Sequence, residues 1–187
     1  MSLFHIEQSR WVYRADLVFY SAVSLVLAAA LLGFGPRDHW ALLLGLAAGG
    51  LASWSLAEYL LHRFVLHGVR PFSAWHAAHH KQPLALMGTP TVLSATLIAL
   101  LVFVPAWWTG GLWAGSAFTW GLSTGYLGYG LMHQALHQPR SRFAWLRRRQ
   151  LWHARHHGAR HGPAHFGVTS AVWDHVFRSH QPEPCPP

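Results

Sequence analysis

The chain has 187 residues, of which 52% are apolar and only 11% are charged. Because a soluble domain carries about 25% charged residues, this composition argues against a soluble enzyme and favours a protein embedded in a membrane. The formal net charge is +8. The basic residues are spread through loops rather than along one face, which argues against a nucleic-acid-binding role.

Four apolar segments are predicted to cross the membrane. Residues 17–35 and 40–57 contain no Lys, Arg, Asp or Glu, and no such residue occurs from Gln82 to Pro139. A crossing needs roughly 20 apolar residues. The sequence therefore predicts a turn at 107–111 and transmembrane helices near 15–35, 40–61, 90–108 and 112–133.

The distribution of basic residues predicts the orientation of these helices. Four crossings place the amino terminus, residues 62–89 and everything after residue 138 on one side. Thirteen of the fourteen Lys and Arg lie on that side, and only Arg37 lies on the other. Basic loops favour the cytoplasm, so we expect both termini to be cytoplasmic.

The chain is predicted to form one domain, residues 1–187, with a Pro-rich tail at about 181–187 that is expected to be disordered. Cys185 is the single cysteine. An internal disulfide and a thiolate-rich metal site are therefore excluded.

Ten of the sixteen histidines form four clusters where apolar segments meet polar ones. Neutral imidazole is the commonest protein ligand for Fe, Zn and Cu. Ten imidazoles are too many for one ion and about right for two, with an open position left at each metal. We predict these ten as metal ligands: His62 and His67; His76, His79 and His80; His133 and His137; His153, His156 and His157.

Helix geometry predicts which of these side chains share a face. Positions i, i+3 and i+4 lie on one side of a helix, so His76, His79 and His80 are expected to point into one site, as are the three histidines of the last cluster. His62 and His67 are about 140° apart on an ideal helix and share a face only if the helix distorts. All four clusters are expected on the cytoplasmic side.

On these residues the chain resembles the fatty acid hydroxylase/sterol desaturase superfamily of integral-membrane di-iron proteins, whose histidine boxes have the same spacings and order. The resemblance covers Glu58 to Phe177 and includes three segments, 62–67, 79–83 and 166–177. The last segment resembles the closing motif of fatty acid 2-hydroxylases more than the ending of carotenoid ring hydroxylases.

The resemblance implies an all-α integral membrane protein, in which a small cytoplasmic helical domain caps four transmembrane helices and holds a di-metal site. It also implies an O2-dependent di-iron monooxygenase that hydroxylates a lipid acyl chain, with the 2-position favoured. The implied cofactors are two Fe ions and O2, and a separate ferredoxin or cytochrome b5-like protein would donate electrons. Zinc is an expected substitute in purified protein, since it competes well at imidazole sites.

Four further residues are candidates for an additional ligand or for a group that orients one. His161 and His165 follow the last cluster. Glu58 is embedded in the second predicted span, where a carboxylate either orients a ligand histidine or pairs with Arg63 or another base at the headgroup level. Asp174 either orients a ligand or caps the terminal helix.

A basic cluster follows the last predicted span. Attraction to lipid headgroups is the favoured interpretation, and docking of an acidic redox donor is the alternative. The cluster comprises Arg140, Arg142, Arg147, Arg148 and Arg149.

Other functions remain open at this point. A sterol or carotenoid hydroxylase and a lipid desaturase use similar histidine boxes. Outside enzymes, paired histidines can hold haem in an electron carrier or conduct ions in a metal transporter. Haem needs only two axial ligands, however, and a transporter should line its path inside the bilayer. The chain has no His-Glu-x-x-His motif, which argues against a zinc protease.

Overall fold

The structure, a computed structural model, describes residues 8–86, 88–158 and 163–180, and within these ranges all regular secondary structure is helical. The predicted all-α class is confirmed. The tail at 181–187 lies outside the described residues. The α-helices are α1 Arg10–Phe34, α2 Trp40–Leu60, α3 Phe72–Lys81, α4 Thr91–Ile98, α5 Val104–Leu136, α6 Ala144–His157 and α7 Val172–Val176.

Shorter helical segments connect several of these helices. A 3-10 turn, Arg37–His39, precedes α2. A π-helix, Leu61–Leu66, continues α2, and a second π-helix, Ala99–Phe103, joins α4 to α5. A π-helix is rare and usually short, so two of them in one chain mark places where regular α-helical spacing does not suit the packing.

In the part of the chain that the structure describes, three helical stretches are long and apolar enough to cross a membrane: Arg10–Phe34, Arg37–Leu66 and Thr91–Leu136. Their large apolar side chains are exposed to the surroundings, as in Leu25 at 71% and Leu101 at 69%. Apolar surface on this scale is unfavourable in water and suits contact with lipid. The chain is accordingly an integral membrane protein.

The third stretch reverses direction at Gly111. It has 46 residues, which would span about 69 Å as one straight helix, twice the roughly 30 Å of a bilayer core. Gly111 interrupts it with φ 82° and ψ 173°, a conformation that suits only glycine. A Cβ added at Gly115 would lie 2.8 Å from the backbone nitrogen of Trp107. Eight residues of straight helix would separate them by about 12 Å, so the chain folds back, as the predicted turn at 107–111 requires.

The chain forms two compact units. The first comprises Met1–Ser55 and Ala85–Gly130, and the second comprises Leu56–Leu84 and Leu131–Pro187. The first unit therefore holds α1, α4, most of α2 and most of α5. The second holds α3, α6 and α7, and all ten clustered histidines belong to it.

Within the first unit, glycines allow α2 and α5 to approach at backbone contact distance. A Cβ added at Gly50 would lie 2.0 Å from the carbonyl oxygen of Phe118, and one added at Gly121 would lie 1.9 Å from that of Ala47. Small residues at helix crossings are the usual means of close packing between membrane helices. A larger side chain at either glycine therefore forces the two helices apart.

We expect Gly121→Ala to lower the free energy of unfolding by about 1–3 kcal/mol, the usual cost of overpacking. Gly128→Ala in the same helix is the matched control, since nothing lies within 4 Å of the added Cβ. It should be neutral or slightly stabilising, because Ala favours a helix over Gly. Thermal unfolding in detergent, followed by circular dichroism, compares the two. An unchanged Tm for Gly121→Ala would contradict the close crossing.

Candidate metal centre

The π-helix that continues α2 brings the first histidine pair together. A π-helix closes i→i+5 hydrogen bonds, so residues five apart approach the same face. The ring centroids of His62 and His67 lie 5.3 Å apart. The helix distortion that this spacing requires is therefore present in the structure.

Nine of the ten clustered histidines fall into two groups whose ring nitrogens converge. Within each group, one nitrogen from every residue lies within 4.8 Å of the others. The first group is His62, His67, His76, His80 and His156, and the second group is His79, His133, His137 and His153. The tenth, His157, stacks on His80 with ring centroids 4.2 Å apart, and its Nε2 lies 3.2 Å from Nε2 of His153. It therefore borders both groups.

The three-histidine clusters do not each point into one site, which corrects the expectation from helix geometry. In α3, His76 and His80 belong to the first group and His79 to the second; in α6, His156 belongs to the first group and His153 to the second. Adjacent residues on a helix are about 100° apart. Each cluster can therefore serve two neighbouring sites, and α3 and α6 both span the two groups.

The spacing of the ring nitrogens in the second group fits a metal ion better than hydrogen bonding. The Nε2 atom of His137 lies 3.1 Å from Nε2 of His79, 3.3 Å from that of His133 and 3.0 Å from that of His153. One ring nitrogen has a single proton or a single lone pair and cannot satisfy three partners. Nitrogens bound at 2.0–2.1 Å to one ion are separated by about 2.9 Å at right angles and about 3.4 Å at tetrahedral angles. The observed separations lie within this range.

The first group shows the same convergence. Nε2 of His76 lies 2.9 Å from Nε2 of His62 and 3.0 Å from that of His80. Nε2 of His67 lies 3.2 Å from that of His156. The residues present therefore fit two ions, one for each group.

Two backbone carbonyls determine how imidazoles of the first group are oriented. Nδ1 of His62 donates to the carbonyl oxygen of Phe166 at 2.5 Å, and Nδ1 of His156 donates to that of Ala164 at 2.7 Å. A proton held on Nδ1 leaves the Nε2 lone pair free for a metal. These contacts thus select the tautomer that a ligand needs.

The clustered imidazoles outside the apolar helices are held neutral. Burial, with a smaller contribution from neighbouring imidazoles, lowers the pKa of His79 and His157 to about 3 and that of His67 and His137 to about 4. Burial also lowers the pKa of His153 and His156 well below the ordinary 6.5. Neutral rings keep a lone pair available at physiological pH, as metal binding requires.

Glu58 binds a loop and contacts neither Arg63 nor a ligand imidazole. Its Oε1 accepts hydrogen bonds from the backbone N–H groups of Val168 at 2.7 Å and Thr169 at 2.9 Å. Its Oε2 accepts from the Thr169 hydroxyl at 2.6 Å. Arg63 donates instead to the hydroxyl of Tyr59. Glu58 is therefore not paired with Arg63, one of the bases considered for it, and any orienting effect of Glu58 acts through residues 163–170, hereafter the closing loop.

Asp174 also hydrogen-bonds to this loop. Its Oδ1 accepts from the backbone N–H of Phe166 at 2.8 Å and from the Ser179 hydroxyl at 2.8 Å. Its Oδ2 accepts from the backbone N–H of Gly167 at 2.8 Å and from Nε1 of Trp152 at 3.0 Å. Asp174 is completely buried. Among the described residues, neither carboxylate belongs to a histidine group.

Arg149 completes the support of the closing loop. Its Nη2 donates to the carbonyl oxygens of Gly167 at 2.5 Å and Val168 at 3.0 Å. The guanidinium is thus directed into the second unit, which corrects its assignment to a basic surface cluster. Arg142 and Arg148, in contrast, are exposed.

Of the two extra histidines, the described one, His165, is placed differently from the clustered ones. His165 lies in the closing loop with φ 60°, its ring packs edge-on against Trp152 at 4.4 Å, and it belongs to neither group. Its backbone N–H donates to the carbonyl oxygen of Ser179 at 2.9 Å. His161 lies outside the described residues.

The carbonyls of Ala164 and Phe166 are the functional groups that sequence reasoning missed. Backbone atoms leave no signature in side-chain identity. The one signal was the closing motif itself, residues 166–177, because its Phe-Gly and Asp174 are the residues that place one of these carbonyls.

An all-helical membrane protein in which nine histidines converge in two groups has the side chains expected of a histidine-rich membrane metalloprotein. Comparison with known proteins identifies the family: the model of the family named fatty acid hydroxylase matches residues 47–179. The chain belongs to the fatty acid hydroxylase family, and the sequence-based resemblance is confirmed.

Several relatives are 2-hydroxylases. The chain is 33% identical over 148 residues to a dihydroceramide fatty acyl 2-hydroxylase of Arabidopsis thaliana, covering 71% of this chain and 59% of the relative. It is 30% identical over 152 residues to the fatty acid 2-hydroxylase of Homo sapiens, covering 74% and 40%. This similarity favours the 2-hydroxylase branch of the family. The chain spans only about two fifths to three fifths of the length of these relatives.

A solved structure shares the fold. The hydroxylase domain visible in full-length scs7p aligns with a TM-score of 0.77 over 97% of this chain and 70% of the other, at 24% sequence identity. The agreement over nearly the whole chain supports the helical arrangement described above.

Proposed function

We propose that this protein is an O2-dependent di-iron hydroxylase that acts on a lipid acyl chain, with the 2-position favoured. The observation that carries the proposal is the pair of imidazole groups, whose Nε2 atoms converge at the spacing of metal ligands. Membership of the fatty acid hydroxylase family supports the reaction class. The names of the relatives support the acyl substrate and the 2-position.

All ten clustered histidines are proposed as metal ligands. The first group would hold one iron and the second group the other. His157 would complete either set, since it stacks on His80 of the first group and its Nε2 lies 3.2 Å from that of His153 in the second. Zinc would replace iron in protein purified without iron, because it also prefers imidazole ligands. Glu58, Asp174 and His165 are proposed to act through the closing loop rather than as ligands.

The two irons, when bound, supply the activation of O2 that insertion of oxygen into an unactivated C–H bond requires. The overall reaction consumes the acyl C–H group, O2, two electrons and two protons, and forms the C–OH group and water. The two electrons would come from a separate ferredoxin or cytochrome b5-like donor. The chain itself holds the ligand rings, fixes the tautomers of His62 and His156 through backbone carbonyls, and keeps water away by burial.

The membrane arrangement is proposed to consist of four crossings with both termini and the histidine sites on the cytoplasmic side. The reversal at Gly111 supports two crossings within Thr91–Leu136. The asymmetric distribution of Lys and Arg supports the orientation. The family match, 47–179, runs through both compact units, which supports residues 1–187 as one functional hydroxylase domain.

Expression in a host that lacks 2-hydroxylated lipids tests the proposal. With iron and a reductant system supplied, acyl chains should gain one oxygen without a new double bond, and ¹⁸O2 should label that oxygen. Fragmentation in the mass spectrometer locates it, and we expect the carbon next to the carboxyl or amide group. Cells expressing the His76→Ala variant provide the matched background.

Other products would contradict particular parts of the proposal. An acyl chain that has lost two hydrogens would identify a desaturase. A hydroxylated sterol or carotenoid beside unmodified acyl chains would move the substrate to another branch of the superfamily. Unchanged lipids in the presence of iron, O2 and reductant would contradict the hydroxylase itself.

A further inference from the structure

One peptide group joins a buried carboxylate to a ligand imidazole of the first group. The carbonyl oxygen of Phe166 accepts from Nδ1 of His62 at 2.5 Å. The N–H of the same peptide group, that of Gly167, donates to Oδ2 of Asp174 at 2.8 Å. A peptide whose N–H donates to an anion becomes a stronger acceptor at its carbonyl, since hydrogen bonds in a chain polarise one another. The negative charge of Asp174 therefore strengthens the hydrogen bond that Nδ1–H of His62 donates to the Phe166 carbonyl.

Asp174 is held rigidly enough to act in this way. Each of its oxygens accepts two hydrogen bonds, from Phe166 N–H and the Ser179 hydroxyl at Oδ1, and from Gly167 N–H and the Trp152 indole at Oδ2. The residue is completely buried, so water does not compete for these positions. Hydrogen bonds to an ionised acceptor are about twice as strong as neutral ones. The carboxylate thus fixes the peptide in place and in orientation.

Glu58 accepts a similar hydrogen bond from the next peptide group, but the carbonyl of that group contacts an arginine and not an imidazole. The N–H of Val168 donates to Glu58, and the carbonyl of the same peptide group, that of Gly167, accepts from Arg149. This peptide therefore joins a carboxylate to a guanidinium. Of the two acids that are buried in the described part of the chain, only Asp174 is linked through a single peptide to an imidazole of the two groups.

The observed contacts between closing-loop carbonyls and imidazoles of the described residues involve the first group. The two imidazoles that donate to carbonyls of the closing loop, His62 and His156, both belong to that group. In the second group, Nδ1 of His79 and Nδ1 of His153 are buried and have no hydrogen-bond partner among the described residues. Outer partners of ligand histidines commonly change metal affinity by about 10–100-fold. The two sites should therefore differ in their dependence on the closing loop.

We propose that Asp174 is a positioning residue for the metal of the first group, acting on His62 through the Phe166–Gly167 peptide, with no comparable link to the second group. The proposal rests on the two-metal site proposed above. It deepens that proposal by assigning an outer-shell carboxylate to one metal and not to the other.

Chelator competition on the purified full-length chain tests this assignment. Asp174→Asn is introduced into two single-site backgrounds: His137→Ala, which retains the first group, and His76→Ala, which retains the second. In the first background the chelator concentration that removes half of the metal should fall about 10–100-fold. In the second it should change less than twofold. Asp38→Asn is the control, since the Asp38 side chain is 79% exposed and should shift neither midpoint.

A second substitution moves the same peptide and keeps the carboxylate. A Cβ added at Gly167 would lie 2.0 Å from the carbonyl oxygen of Ser170 and 3.0 Å from Oδ2 of Asp174, so Gly167→Ala must displace this part of the loop. We expect the same selective weakening of the first site. If Asp174→Asn loses its helical circular dichroism signal and is therefore unfolded, Gly167→Ala tests the proposal in its place.

The outcomes are distinct. Equal shifts in both backgrounds would overturn the proposal, because Asp174 would then support the fold as a whole. No shift in either background would also overturn it, and the proposed hydroxylase function would stand as long as the wild-type protein binds two metals and hydroxylates lipid. A wild-type chain that binds no metal would instead contradict the proposed function.

Discussion

Alanine in place of His76 or His137 should reduce product formation below about 1% of the wild-type level. Mutation of a group that only hydrogen-bonds to a ligand commonly lowers metal affinity or activity by about 10–100-fold. Loss of a direct ligand should lower activity at least as much. Each residue lies at the centre of its group: Nε2 of His76 contacts two other Nε2 atoms, and Nε2 of His137 contacts three. We expect metal content to fall from two equivalents towards one. The same loss of activity is expected for His79→Ala and His156→Ala.

His39→Ala is the control for these substitutions. Its ring is 61% exposed, lies 3.5 Å from Asp38 and belongs to neither group. Product formation and metal content should therefore remain at wild-type levels. Product yield by mass spectrometry and metal content by elemental analysis check both expectations. Full activity in a group variant would remove that histidine from the site.

Glu58→Leu should destabilise the protein far more than Glu58→Gln. The carboxylate accepts from two backbone N–H groups and the Thr169 hydroxyl. Leucine leaves all three donors buried without an acceptor, at about 1–3 kcal/mol each, so we expect a loss of at least about 3 kcal/mol in the free energy of unfolding. Glutamine keeps one oxygen for the two N–H groups and turns its NH2 group towards a hydroxyl that can accept. We expect it to cost about 1 kcal/mol.

Thermal unfolding in detergent separates the two variants, and metal analysis adds a second criterion. Folded Glu58→Gln protein should retain two equivalents of metal, because the carboxylate contacts the closing loop and no imidazole. Loss of metal from folded Glu58→Gln would instead make Glu58 a ligand. Equal destabilisation by both substitutions would show that charge, rather than hydrogen-bond acceptance, is what the loop requires.

The apolar helices and the convergence of the histidines could be predicted because both depend on side-chain identity. Long runs without Lys, Arg, Asp or Glu can only be buried or face lipid, and the structure has helices at each of the predicted spans. The His133–His137 pair, one turn apart on a helix, could be assigned to one site, and both residues lie in the second group.

The division of the histidines between two sites could not be predicted from spacing alone. Residues at i, i+3 and i+4 share a broad face, and whether they serve one ion or two depends on which partners face them. His79 packs against His133 and His137. His76 and His80 pack instead against His67. That choice is made by tertiary packing.

The supports of the closing loop also required the structure. Glu58 is separated from Thr169 by 111 positions in the chain, and nothing in either local sequence pairs them. Arg149 belongs to a run of three arginines, and only the fold shows which one is directed at backbone carbonyls. The motif around Phe166 indicated that this segment has a role. The backbone groups that contact the histidines, however, are present in every residue and leave no pattern in the sequence.

Metal analysis of the purified chain tests the central claim most directly. Two converging imidazole groups predict close to two equivalents of iron, or of zinc as its substitute, for each chain, in protein whose visible spectrum lacks the absorption of haem. One equivalent or less in correctly folded protein supplied with metal would contradict the two-site centre, and with it the di-iron hydroxylase.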